Sequence, residues 1–177
     1  MTLKFTVVMK VILPTSLISR EDILKKGEKV KIPGPKKRET KSLFGSLNLQ
    51  SGKFFWKSAD RGNSKIFIDH LHQLRAHSKG KNTIVIVDNA TLHKSAKVKA
   101  FLKKHSDVKI YYLPPYSPEY NPVEIVWRLI KTAVLGARHI KNGMQEVISR
   151  VRKLTRKWSH GIRSLNVGPG VWNKIFE

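Results

Sequence analysis

A chain of 177 residues, 40% of them hydrophobic, can close one hydrophobic core and is short for two. It contains no cysteine, which excludes a disulfide framework and a thiolate zinc site. Its 35 Lys and Arg against 12 Asp and Glu give a formal charge of +23, and basic residues outnumber acids in every quarter of the chain. That field selects DNA or RNA over an acidic small molecule, against the plainer readings of a ribosome-associated basic protein or charge for solubility.

Leu3 to Leu13 reads as a first strand rich in Val, Ile and Phe. The apolar run from Phe5 is short and broken by Lys10, so no membrane span is expected. Pro14-Thr15-Ser16 offers no small-x-small cleavage site, so a signal peptide is not read here and the expected location is cytoplasmic. Pro14 to Gly34 is a mixed loop, and residues 33–41 (PGPKKRETK) form a basic, proline-marked loop in which Lys36, Lys37 and Arg38 either lie on a phosphate backbone or are solvated. Ser42 to Leu49 and Lys53 to Trp56 read as a hairpin closed by Gln50-Ser51-Gly52, with Gly52 supplying a positive φ. Phe54, Phe55 and Trp56 suit a core better than a base-stacking platform.

Asn63 to His77 has helical spacing in Phe67, Leu71 and Leu74, with Asn63 or Ser64 as cap. Asp69, His70, His72 and His77 fall on it without a recognised metal-ligand spacing. Thr83 to Asp88 (TIVIVD) is an apolar run suited to a strand buried on both faces, with Asp88 at its carboxyl end. In α/β sheets that edge is where ligands bind. Leu92 to His105 reads as one amphipathic helix, with Val98, Phe101 and Leu102 inward and lysines outward. Lys109 to Leu113 is a further strand. Asn142 to Trp158 reads as a last helix, within a stretch rich in basic residues, so Arg150, Arg152, Lys153, Arg156 and Lys157 are DNA-binding candidates. Residues 164–177 read as an irregular tail.

The stretch LPPYSPEYNPVEIVW, Leu113 to Trp127, carries the strongest signal. Pro114, Pro115, Pro118 and Pro122 each fix φ and remove a backbone donor. The result is a stiff approach to Glu124 on the first turn of a helix in which Val123, Val126, Trp127, Ile130 and Val134 share a face and Gly136 is a stop. Two readings fit. Asn121 as N-cap, Pro122 as first helical residue and Glu124 as third make a good helix start with no catalysis involved. A strand ending in Asp88 and a rigid loop delivering Glu124 is also how a carboxylate metal site is assembled. Arg128, one turn on, is placed to pair with Glu124.

The order strand, hairpin, helix, strand, helix, strand, helix, helix resembles the ribonuclease H-like fold: an α/β architecture with a mixed central sheet flanked by helices. Within it, residues 84–90 (IVIVDNA) with His93, followed by LPPYSPEYNPVEIVW, are similar to the catalytic domain of mariner-type insertion-sequence transposases of the DDE superfamily. Thirty-five residues lie between Asp88 and Glu124, a spacing like that of the family's second and third acids. Lys25-Lys26-Gly27 and Phe44-Gly45 are further points of similarity. The resemblance implies one catalytic domain over residues 1–163. In it, Asp88 and Glu124 would be two members of an acidic triad holding two Mg²⁺, with Mn²⁺ as substitute, and Asn89, His93 and Asn121 would stand behind them. It implies transposon-end and target DNA as partners, a homodimer, and DNA cleavage, strand transfer and integration as the chemistry. One departure stands out. The family's first acid is expected on the first strand, and Leu3 to Leu13 contains neither Asp nor Glu. A DNA-reading helical domain of the kind these enzymes carry is not seen either. The chain therefore reads as a C-terminal part of a transposase, truncated or degenerate, with an upstream helix-turn-helix polypeptide as a candidate partner. Weak or no cleavage by this chain alone is expected, with a non-catalytic nucleic-acid-binding protein as the alternative.

Overall fold

A computed structural model describes residues 4–14, 39–79, 82–114, 121–135, 140 and 142–162. Five strands form one sheet in the order β3-β2-β1-β4-β5, with β1 at Lys4–Pro14, β2 at Thr40–Asn48, β3 at Phe54–Ala59, β4 at Thr83–Val87 and β5 at Val108–Tyr112. β1, β2 and β3 pair antiparallel, whereas β1–β4 and β4–β5 pair parallel. A short turn joins the antiparallel pair β2–β3, whereas parallel neighbours need a longer, helical crossover. The crossovers here are α1 (Ser64–Ser78), between β3 and β4, and α2 (Ala96–Lys104), between β4 and β5. Two further helices, α3 (Val123–Leu135) and α4 (Gly143–Arg156), follow β5.

Local chemistry explains these bounds. The β2–β3 turn closes as expected: Gly52 has φ 65°, and the Asn48 side chain accepts from the backbone N–H of Gln50 and Ser51. Asn63 caps α1 by accepting from Ile66 N at 3.0 Å. One element differs from its sequence reading. The segment from Leu92 to His105 is not a single helix: a 3-10 turn, Thr91–Lys94, precedes α2, and Ser95 restarts the chain by capping it, its Oγ facing Val98 N at 3.5 Å. The N-cap signature of Ser95 was present in the sequence, but it sits inside a continuous apolar period that masks it.

Side chains alternate across the strands and supply two cores. On one face, Val8, Phe44, Val85 and Val87 pack with Phe67, Leu71 and Leu74 of α1 and Val98 and Phe101 of α2. On the other, Val11, Leu13, Leu43, Leu47 and Ile86 pack with Val123, Val126, Trp127, Ile130 and Val134 of α3 and Met144, Val147 and Val151 of α4. Trp127 is fully buried and takes Phe54 edge-on, with centroids 5.4 Å apart. It lies where Gly45 leaves room: a Cβ on Gly45 would come within 2.3 Å of the Trp127 ring. Phe54 and Trp56 belong to this packing and Phe55 to that of the opposite face, rather than to a stacking platform: Phe55 stacks on His77, and Trp56 donates to Thr155 Oγ1 at 3.0 Å.

Candidate active site

Asp88 directly follows β4, where the parallel register sets Val87 beside Val8 of β1 and Tyr112 of β5. Its Oδ1 accepts from Ala90 N at 3.1 Å and lies 3.1 Å from His93 Nε2. The His93 contact, foremost, holds the Asp88 carboxyl below the usual carboxylate range; burial opposes this, and the Ala90 N–H and the charges of His93 and Lys10 assist. Asp88 is thus an anion at neutral pH with part of its surface open, as a cation ligand needs to be. His93 is fully buried, edge-on to Phe67 with centroids 4.2 Å apart, and its backbone carbonyl accepts from Tyr112 Oη at 3.2 Å. The Asp88 contact is close but too oblique for a good hydrogen bond, and Nδ1 has no partner among the described residues. The ring is held by packing, and it fixes the carboxylate beside it.

The chain leaving β5 is tied to this end of β4. Leu113 N donates to Val87 O at 2.8 Å, and the Asn89 side chain donates to Leu113 O. These two bonds set where the proline-rich segment starts; residues 115–120 of that segment lie outside the described residues. Beyond it, Asn121 is buried and accepts from Val123 N at 3.2 Å through its side chain and from Glu124 N at 2.9 Å through its carbonyl. The capping expected of Asn121 is therefore present. Val123, fully buried beside Glu124, belongs to the same cluster as Ile86 and Leu113, so one core anchors both the strand before Asp88 and the helix turn carrying Glu124. Glu124 makes no ion pair among the described residues, and the pairing expected with Arg128 does not form.

The other candidates separate clearly. Lys36, Lys37 and Arg38 lie outside the described residues. Arg152, Lys153, Arg156 and Lys157 are exposed on α4. Arg150 is turned inward: it donates to Val134 O at 3.0 Å and pairs with Glu146 Oε1. Of the α1 histidines, His70 is buried against Ser46 Oγ at 3.1 Å, and His72 is edge-on to Phe101. No group of three metal-binding side chains occurs among the described residues. Sequence reasoning missed Lys10, which lies on β1 in the electrostatic reach of Asp88 and packs over Gly62; nothing in a strand-like run signals which partner strand a lysine will reach. No described helix is long and apolar enough to cross a membrane.

Sheet order, helix placement and an acid at the carboxyl end of β4 define a ribonuclease H-like fold of the kind found in transposases and integrases. Solved structures agree. The mariner Mos1 paired-end complex with Mg matches over 97% of this chain and 54% of its own, with TM-score 0.69 and 15% identity. The Mos1 paired-end complex with left transposon end matches at TM-score 0.68 and 12% identity, over 96% of this chain and 51% of its own. The simian T-cell lymphotropic virus intasome matches at 0.57 and 13%, over 89% of this chain and 55% of its own.

Residues 15–145 match the family model described as DDE superfamily endonuclease, and the chain belongs to that family. An uncharacterized 39 kDa protein of insertion element IS630 from Shigella sonnei is 29% identical over 128 residues, 72% of this chain and 37% of its own. The uncharacterized protein y4pE/y4sA of Sinorhizobium fredii is 30% identical over 101 residues, 56% of this chain and 72% of its own. The chain thus spans little more than a third of the IS630 relative.

Proposed function

We propose that this chain is a transposase catalytic domain in which Asp88 and Glu124 form a divalent-cation site for DNA strand cleavage and transfer, with transposon-end and target DNA as substrates and a second transposase copy as partner. The carrying observation is the ionised, part-exposed Asp88 at the carboxyl end of β4, tied through Asn89 and Leu113 to the start of the segment that leads to Glu124. The donor chemistry fits: Mg²⁺ takes oxygen ligands and sits on one or two carboxylates plus substrate phosphate. When bound, such ions activate an attacking hydroxyl and stabilise the leaving oxygen of a phosphodiester. The residues of this chain do the positioning. His93 and the Ala90 N–H occupy Asp88 Oδ1 and fix the carboxylate, and Asn121 fixes the helix start under Glu124.

Among the described residues the donor count falls short of a triad. β1, Lys4–Pro14, carries no acid, and its Lys10 contributes a positive charge to the field at Asp88. We therefore propose weak metal binding and weak cleavage by this chain alone. Membership of an endonuclease family disfavours the alternative of a non-catalytic basic nucleic-acid-binding protein. The test is Mn²⁺ binding followed by electron paramagnetic resonance, with nicking of a transposon-end duplex in parallel. Asp88→Asn and Glu124→Gln should each weaken Mn²⁺ binding about ten-fold or more. Equal affinity in wild type and both variants would refute the site.

A further inference from the structure

The outer face of α2 plays no part in the site above, yet it is the most one-sided charged surface among the described helices. No acid occurs between Asp88 and Asp107, whereas Lys94, Lys97, Lys99, Lys103 and Lys104 fall in that interval and all are exposed. None makes an ion pair among the described residues, and Asp107, the nearest acid in sequence, is held by Arg75 Nε at 2.6 Å. The arrangement is regular. At 100° per residue, Lys97 and Lys104 line one flank of the exposed face and Lys99 and Lys103 the other, with exposed Ala96 and Ala100 along the ridge between them. Small residues between two cationic rows let a phosphate chain approach the helix closely. Lys97 and Lys104 are roughly 10 Å apart along the axis, about three nucleotides of one DNA strand. The rows also begin at the candidate site: Lys94 stands 5.2 Å over the Tyr112 ring, and Tyr112 Oη bonds the backbone of His93, the residue against Asp88.

We infer that the outer face of α2, with Lys94 and Tyr112 at its start, is a phosphate-backbone track for duplex DNA leading away from Asp88. It lies on the opposite face of the sheet from the arginines and lysines of α4, because α1 and α2 cover one face and α3 and α4 the other. One chain then holds two DNA segments, one on each side of the sheet. This deepens the transposase reading and rests on it for the identity of the DNA, not for the binding itself.

The test uses the full chain in EDTA, so that metal plays no part. Binding of a fluorescent duplex of arbitrary sequence is followed by anisotropy across salt concentrations. Lys97→Gln, Lys103→Gln and Lys104→Gln combined should weaken binding at least ten-fold at 0.1 M salt. They should also reduce the steepness of log K against log salt by about two to three, at roughly 0.9 per phosphate contact. A charge-matched control, Lys53→Gln, Lys65→Gln and Lys79→Gln, should change the slope by less than half as much; circular dichroism checks that both variants are folded. Equal slopes for the two triple variants would overturn the track and leave only a diffuse positive field. Tighter binding of duplex RNA than of duplex DNA, lost in the first variant, would overturn the choice of DNA. Because the readout is free of metal, failure of the Mn²⁺ experiment with an intact track would sink the nuclease reading alone.

Discussion

His70 makes stability depend on pH between about 4 and the ordinary histidine value of 6.5. The ring is fully buried between α1 and β2, with Nε2 3.1 Å from Ser46 Oγ and Nδ1 without a partner among the described residues. Burial, foremost, pushes its pKa down from 6.5 to about 4; the nearby Gln73 side chain opposes this and the Lys57 charge adds to it. In the unfolded chain the ring titrates near 6.5, so between that pH and 4 the unfolded state binds the proton and the folded state does not. Stability is therefore full above about pH 6.5, falls as pH drops, and levels off near 4. At about 1.4 kcal/mol per pH unit, this window removes at most ~3 kcal/mol, a large share of a typical 5–15 kcal/mol domain. Asp60, Asp88 and Asp107 all lie below the ordinary 3.8, so their contributions vanish only at lower pH. His105 is also lowered, by desolvation first, but it is common to wild type and variant. Urea unfolding of wild type and His70→Leu, followed at several pH values from 7.5 to 4, isolates the effect. Wild type should lose about 2–3 kcal/mol more than the variant across that range. Parallel stability curves would show that His70 is not buried as a neutral ring.

Four further outcomes are expected. Gly45→Ala, whose Cβ would meet Trp127 at 2.3 Å, should cost roughly 1–3 kcal/mol by thermal or urea unfolding. Arg150→Ala removes the bonds to Val134 O and Glu146 and should destabilise by about 1–3 kcal/mol, while leaving the salt dependence of DNA binding unchanged; a slope reduced by about one would instead make Arg150 a phosphate contact. Lys10→Met should raise Mn²⁺ affinity by several-fold, by removing a positive charge from the field at Asp88; unchanged affinity would show that the lysine does not oppose metal. Asn89→Ala should release the start of the proline-rich segment from β4 and weaken Mn²⁺ binding with little loss of global stability.

What the sequence determined by itself was local. The strands, the hairpin with Gly52 at positive φ, the Asn63 cap and the Asn121-Pro122 helix start follow from residue periods and from side chains that satisfy their own neighbouring backbone. Such signals are complete within a few residues. The tertiary structure decided whatever depends on contacts between distant segments. Asp88 is fixed by His93, and His93 by Phe67 of another helix; Arg150 is taken up by the end of α3, so it is not among the free cations its sequence context suggested. Lys10 reaches the field of Asp88 only because β1 pairs with β4, a neighbour far away in the chain, Lys4 lying beside Thr83 and Val8 beside Val87. Gly45 shows the same division: its place in a strand was legible, but its reason is the Trp127 ring, brought over it by a helix from the far end of the chain. Charge pattern shows which residues are available, and only packing decides which of them are already spent.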